Sequence, residues 1–346
     1  KDNEALYIHT QTGEKIIIFA GGGKADSYKK ILGNSYGMWI ATEINEHYDS
    51  DDSRTSFIKV AMGRQVAAVQ PFTLWDLNPS NPNHPIYENY IDTFKDTYIG
   101  KYLYEHFTIN DNATLSDDRK KLIESKYIKG SVWHRRDILG ERCVAEGLIY
   151  QEFADEPEKF IIDKAPDDLW FAIIGVDFGG NKSGDAFNCT GFTYGLKQVI
   201  TLEDKWKDGK KTPEQLNKDF VEFVKMCRSK YKIMECRADS AEQTLIQGMK
   251  VALIKYHIPL DVKDAVKGEI NGRIQLYNSL MAQGRYKIMK NCNHTIDALK
   301  NAVWDSTKFE DVRLDNGTSN IDSLDAQEYT TEKYTKDLLA VQMIRR

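Results

Sequence analysis

The stretch IIGVDFGG, residues 173–180, closes an apolar run that begins at Leu169. That run is rich in branched side chains, too short to cross a membrane, and bounded by Gly179 and Gly180, so it reads as a central β-strand. Asp177 stands at its tip, where the carboxylate leaves the sheet edge. A carboxylate so placed is a candidate metal ligand. A lone aspartate there is equally a turn former that hydrogen-bonds its own backbone.

Downstream, a Gly/Lys/Ser/Asp loop (179–185) leads to AFNCTGFTYG (186–195) and then QVITLE (198–203), which predict two further strands in an antiparallel meander. Thr212, Pro213 and Gln215 supply an N-cap, a first-turn proline and a capping-box partner. Leu216, Phe220, Phe223, Val224 and Cys227 follow at helical spacing, so a helix is predicted here. IMECRAD then reads as a strand over Ile233–Ala238 with Asp239 at its end, and Leu245, Ile246, Met249 and Leu253 mark another helix.

Near the C-terminal end, SNIDSLDAQEY (319–329) places Asp322 and Asp325 three apart at a helix start. Residues so spaced share a helix face, with Cβ atoms roughly 5–6 Å apart. One helix then presents two ligands. The same pair also fits an N-cap and a first-turn charge favoured by the helix dipole.

Three strands, a helix, a strand ending in aspartate, further elements and a late acidic helix together match the order that a ribonuclease H-like nuclease fold requires. Such sites hold two divalent ions about 3.5–4 Å apart, one activating water and one stabilising the leaving oxygen. Mg²⁺ and Mn²⁺ prefer oxygen donors, so Asp177, Asp239, Asp322 and Asp325 are the appropriate set.

The upstream half adds KIIIFAGGGKADSYKKILG (15–33), read as a strand, a glycine turn and a basic helix-like segment. GMWIATEINEHY (37–48) gives an apolar strand ending at Thr42 and Glu43, in the manner of a Walker B strand whose glutamate polarises the water attacking ATP. FTLWDLNPSNPNHPIY (72–87) gives a strand from Phe72 to Trp75 that runs into Asn78, Pro79, Ser80 and His84. A polar loop there suits sensing of a γ-phosphate. Each piece has a plainer reading: a buried strand before a charged helix start, and a rigid turn set by Pro and Asn. His47 and His84 read as surface or capping groups.

Taken in order, WIATEINEH, LWDLNPSNPNH, WHRRDILGERCVAEGLIYQEF, GVDFGG, RADSAEQ, KDAVKGEINGRIQLYNSLM and IDSLDAQEY resemble the large terminase subunit of tailed phages and prophages. In that family a packaging ATPase precedes a ribonuclease H-like nuclease. The resemblance implies an α/β chain with a partial P-loop-type ATPase domain followed by a nuclease domain built on a mixed sheet. It implies Asp177, Asp239 and Asp325 as metal ligands, with Asp322 in a slot that is His in some relatives. Thr42, Glu43 and Asn78 become nucleotide-site residues, Glu43 the ATPase carboxylate and Asn78 part of the coupling motif. The implied cofactors are two Mg²⁺ or Mn²⁺ ions and, in the full-length protein, ATP. The implied partners are double-stranded DNA, a small terminase subunit and a portal ring, with a monomer in solution and an oligomer on the portal, in the host cytoplasm.

Two departures stand out. No GxxxxGK[ST] occurs, and Gly21, Gly22, Gly23 and Lys24 do not replace it, because the first glycine is misplaced and Ala25 stands where a hydroxyl is required. The chain starts at Lys1 without Met, so the expectation is that the N-terminal part of the ATPase is missing. Thr42 also replaces the common Asp, which weakens Mg²⁺ handling. Other readings are a ribonuclease H-like resolvase or transposase with an upstream DNA-binding domain, or a non-catalytic packaging or scaffold component.

Length and charge fit two domains. The 346 residues suit domains of ~100–200 residues each, and FADEPEKFIIDKAPDDLW (153–170) reads as an acidic, proline-bearing linker. The expected division is 1–152 for the ATPase part, 153–168 for the linker and 169–346 for the nuclease. With a mean hydropathy of −0.54 no membrane span is expected, and no signal peptide is visible, so the chain reads as soluble. The five cysteines, Cys143, Cys189, Cys227, Cys236 and Cys292, lack CxxC spacing and read as buried free thiols of a reducing compartment. A net charge of −5 argues against static non-specific DNA binding. Local basic groups remain candidates for transient contact, either Arg119, Lys120, Lys121, Lys126 and Lys129 with Arg135 and Arg136, or Lys205, Lys207, Lys210 and Lys211 beside the carboxylates. Each also suits a solvated surface.

Overall fold

In a computed structural model, the structure describes residues 5–97, 100–179, 184–207, 211–308, 311–316 and 320–341. The expected loop residues Gly180–Ser183 and 317–319, and Lys210, lie outside them. The chain divides into two compact units, Lys1–Glu105 and His106–Arg346.

The first unit opens with a hairpin, β1 (Ala5–Thr10) and β2 (Gly13–Ile18), of which only the second strand was expected. A short 3-10 turn over Ser27–Ile31 follows where the basic helix-like segment was read. Strand β3 (Met38–Ala41) and strand β4 (Phe72–Trp75) pair in parallel, joined through helix α1 (Phe57–Gly63), and a single π-helical turn at Tyr87–Ile91 leads into helix α2 (Asp92–Thr97). Ala41, Ile44, Ile58, Tyr87, Tyr90 and Ile91 form one small core. Phe57, Val60, Ala61 and Ile31 form another.

The second unit holds, in order, α3 (Asp117–Glu124), α4 (Gln151–Asp155), β5 (Ile161–Ile162), β6 (Leu169–Asp177), β7 (Asp185–Thr193) and β8 (Val199–Lys207). There follow α5 (Pro213–Lys230), β9 (Ile233–Ala238), α6 (Gln243–Lys255) and β10 (Val262–Asp264). The last elements are α7 (Ile270–Ala282), β11 (Tyr286–Met289), α8 (Asn293–Asn301), α9 (Ile321–Thr331) and α10 (Thr335–Ala340). Among the described residues the strands make a seven-stranded mixed sheet in the order β10-β9-β6-β7-β8-β11-β5. The meander β6-β7-β8 is antiparallel as expected, and the remaining pairs are parallel.

Alternation along β6 explains how helices cover both faces. Ala172, Ile174 and Val176 enter a core with Phe220, Val224 and Cys227 of α5 and with Ile246 and Met249 of α6. Phe171 and Ile173 enter the opposite core with Tyr277 and Leu280 of α7, Leu299 of α8 and Leu324 of α9. Helix α5 starts as its sequence requires, with Thr212 and Gln215 closing a reciprocal capping box ahead of Pro213. All five cysteines are free and buried.

The expected linker behaves differently. Phe153 and Phe160 are 0 % and 2 % exposed and stack in the second unit's core, while Ile161 and Ile162 pair with β11. Its acidic and proline residues lie on short turns between those anchors, so composition masked the apolar side chains that bind the segment to the sheet. The division into compact units falls after Glu105.

Gly175 shares the parity of Phe171 and Ile173, and α9 crosses β6 directly over it. A Cβ at this position would sit 1.8 Å from the Ala326 carbonyl oxygen and 2.8 Å from Thr330 Cγ2. Gly175→Ala is expected to cost about 1–3 kcal/mol or more through this overpacking. Urea denaturation monitored by circular dichroism measures it, and an unchanged midpoint would contradict the packing.

Candidate functional site

Asp177 ends β6 and, by the same alternation, faces the α9 side of the sheet. It is buried, and Oδ1 accepts a hydrogen bond from Tyr329 Oη at 3.2 Å. The parallel neighbour β9 sets Ala238 beside Val176, and the Asp239 N–H donates to the Val176 carbonyl at 3.0 Å. Asp239 thus emerges next to Asp177. Its Oδ1 accepts the Ala241 N–H at 2.8 Å and meets the Lys267 ammonium.

The other two aspartates come from α9. Asn320, and not Asp322, caps that helix, its Oδ1 accepting from Ser323 N at 3.1 Å. Asp322 is turned instead toward the meander, where Oδ2 accepts from Gly184 N at 3.0 Å and Trp206 Nε1 at 3.2 Å. Asp325 Oδ1 accepts from Arg273 Nη1 at 3.1 Å and Arg313 Nη2 at 2.6 Å. The other three carboxylates are near enough to act on Asp177. Burial first, and then the charges of Asp325, Asp322 and Asp239, hold the Asp177 carboxyl well above the usual carboxylate range.

Sequence reading missed the layer behind these acids. Glu328, one turn beyond Asp325, is fully buried, receives Arg313 Nη1 at 2.8 Å and lies 3.1 Å from Arg273 Nη1. Burial pushes it up to about 7, against the opposing pull of the Arg313 guanidinium. The Arg273 contact is ionic proximity, since Glu328 Oε2 has no aligned hydrogen-bond donor. Arg273 also reaches Glu332 at 3.4 Å and lies over the Tyr329 ring. The spacing 322, 325, 328 along α9, continued at 332 just beyond its end, was the available signal, an acidic stripe that runs deeper than the pair first singled out. Arg273 and Arg313 carried no local signal, because they reach the stripe from other parts of the chain.

Oxygen donors alone and the repulsion stored at Asp177 suit a hard divalent cation. As the side chains stand, however, no three His, Cys, Asp or Glu among the described residues converge on one point. Lys267 is paired with Asp239, and two guanidiniums are paired with Asp325. The donor chemistry fits, with cations of the chain paired to two of the four carboxylates.

The expected basic surfaces are largely spent within the fold. Lys205 and Lys207 pair with Asp219 at 3.2 and 2.6 Å, and Lys211 pairs with Asp185 at 3.0 Å. Arg136 is buried against the Cys143 carbonyl and Asp311, and Arg135 pairs with Glu141. Lys120 and Lys126 donate to the Asn110 and Leu339 carbonyls.

In the first unit, parallel pairing sets the ends of β3 and β4 side by side, and Glu43 and Asn78 meet. Asn78 Nδ2 donates to Glu43 Oε1 at 3.3 Å, and Asp76 Oδ1 accepts the Glu43 N–H at 2.8 Å. Glu43 has a positive φ of 50°, a strained backbone for a side chain with a Cβ. Thr42 precedes it, exposed. His84 caps the Ile86 N–H at 3.2 Å, and His47 packs on Phe57 with its basicity lowered by burial.

No family model and no curated protein matches the chain. Among solved structures it is similar to the large terminase of a thermophilic bacteriophage. One crystal form gives a TM-score of 0.74 at 22 % identity, over 96 % of this chain and 78 % of that one. The same terminase in complex with ADP gives 0.72 at 21 %, over 99 % and 78 %. Its complex with ATP-γ-S gives 0.71 at 22 %, over 96 % and 77 %. The likeness shows that this chain has the large-terminase fold. Among the described residues no helix is long and apolar enough to cross a membrane.

A raised carboxyl pKa destabilises the folded state as pH rises, because the folded chain holds a proton that the unfolded chain has already lost. The penalty of Asp177 is absent below about pH 4 and grows as pH climbs through its folded-state value. Asp177→Asn is therefore expected to raise the melting temperature in EDTA, by an amount that increases from acid to neutral pH. Melting curves across that range check the sign, and a variant less stable than the parent at neutral pH would contradict it.

Proposed function

We propose that the second unit is a metal-dependent endonuclease on a ribonuclease H-like sheet, cutting concatemeric double-stranded viral DNA as part of a terminase large subunit. The observation that carries the reading is the placement of Asp177 and Asp239 at adjacent parallel strand ends, with Asp322 and Asp325 on the helix packed over them. A cluster of like charges at a sheet edge is costly unless a cation is to be held there. The large-terminase fold supports the same reading.

When bound, two Mg²⁺ or Mn²⁺ ions supply Lewis-acid stabilisation and water activation for an in-line phosphodiester displacement. The chain's own residues do the rest. Asp177 and Asp239 would hold ions from the sheet, and Asp322 and Asp325 would hold them from α9. Tyr329 orients Asp177 through its hydroxyl, and Arg273 and Arg313 fix the rotamer of Asp325, as outer-shell partners commonly do. Gly184 and Trp206 hold Asp322 by N–H donors that leave its charge in place.

The first unit is read as part of a packaging ATPase. Glu43 positions water at the nucleotide and Asn78, bonded to it, couples the γ-phosphate to motion. The small terminase subunit, the portal and a transient site at the prohead in the host cytoplasm are the partners and place that this reading implies. Because the sequence carries no P-loop, phosphate release from ATP and Mg²⁺ by this chain alone is expected to stay at the buffer rate, as a malachite-green assay reads directly.

Supercoiled plasmid incubated with this chain is expected to be nicked with Mn²⁺ or Mg²⁺ and left intact in EDTA. Asp177→Asn and Asp239→Asn should each lower nicking by about 100-fold or more, beyond the ~10–100-fold that loss of an outer-shell partner costs. Absence of cleavage with either metal, in a protein of normal melting temperature, would favour the scaffold alternative.

A further inference from the structure

The loop between β10 and α7 delivers a cation into the acidic cluster. Lys267 has a φ of 51°, a left-handed backbone that a residue with a Cβ keeps only when its surroundings hold it. Glu332, directly after α9, does the holding. Its two carboxylate oxygens accept the N–H groups of Lys267 and Gly268, both at 2.9 Å. The residue that ends the helix presenting Asp322 and Asp325 therefore anchors the loop.

From that anchored backbone the Lys267 side chain runs to Asp239 and forms an ion pair with Oδ1. The pair is open to solvent, the lysine side chain being 35 % and the aspartate 16 % exposed. A carboxylate oxygen cannot face an ammonium and coordinate a divalent cation in the same place. Asp325, by contrast, is held by two guanidiniums, of Arg273 and Arg313, whose side chains are 10 % and 2 % exposed and tied to Glu328. Lys267 is thus the displaceable cation of the cluster's inner edge.

We propose that Lys267 is a built-in counter-ion of the metal centre, occupying the position at Asp239 that a divalent ion takes on loading. This rests on the metal reading of Asp239 given above. In the ion-free protein the ammonium offsets part of the repulsion between strand ends. Loading then requires its displacement, so divalent affinity is set by competition with a group of the chain itself.

The test is calorimetric titration of MnCl₂ into the wild type and the Lys267→Gln, Lys267→Met and Lys267→Arg variants, with melting temperatures measured in EDTA. Both neutral variants are expected to bind Mn²⁺ about tenfold more tightly, to melt lower in EDTA, and to gain more from added Mn²⁺. Lys267→Arg should bind Mn²⁺ as the wild type does. Binding by the neutral variants alone would also support the competition. Folded neutral variants that bind Mn²⁺ no more tightly than a binding wild type would overturn the role of Lys267 and leave the metal centre standing. No Mn²⁺ binding by any of the four proteins would overturn both.

Discussion

The backbone of β6 and the backbone of α9 touch at Gly175, and the site depends on that contact. With no side chain between them, the Ala326 carbonyl lies where a Cβ would otherwise be. The helix is thereby drawn down onto the strand two residues before Asp177, so the acids of its first turns arrive at the strand tip. Buried hydrogen bonds hold the approach from the side, with Gln327 Nε2 donating to Thr201 Oγ1 and Tyr286 Oη, both at 2.6 Å. Leu324 completes it from the apolar side. Helix position and carboxylate position are one constraint.

That constraint concentrates negative charge, and the rest of the second unit is arranged to tolerate it. Arg313 is buried between Asp325 and Glu328, and Arg273 between the same pair and Glu332. Buried ion networks of this kind contribute little net stability when complete and cost several kcal/mol when one partner is lost. Their consequence here is geometric. They tie the end of α9 to α7 and to the strand-like segment around Arg313, so Asp325 has one orientation. Among the described residues Asp177 is paired with no cation and accepts from a tyrosine hydroxyl, and its burial raises the cost of its charge. Stability has been exchanged for a charged edge.

The first unit shows a smaller instance of the same logic. Parallel pairing of β3 with β4 brings residues 35 apart in sequence into hydrogen-bonding contact at Glu43 and Asn78. The strained φ of Glu43 persists because Asp76, at the end of the neighbouring strand, accepts its N–H. A strained glutamate at a strand end is a feature that folding alone does not favour.

Much of this was legible in the sequence because it is local. An apolar, branched run bounded by glycines predicts β6 with Asp177 at its tip, the capping box predicts where α5 begins, and three-residue spacing puts Asp322 and Asp325 on one helix face. Phe72–Trp75 and Ile233–Ala238 are strands over the same residues that their branched and aromatic content marks. What tertiary structure alone decided is which distant groups meet. Segment 153–168 reads as a linker until Phe153 and Phe160 find a core. Lys205, Lys207 and Lys211 read as a DNA-facing group until Asp219 and Asp185 neutralise them. Arg273, Arg313 and Lys267 carry no local pattern at all. Periodicity and capping act within a few residues along the chain. Ion pairing and close backbone approach act through space, and only the packing of α9 onto β6 determines which charges share it.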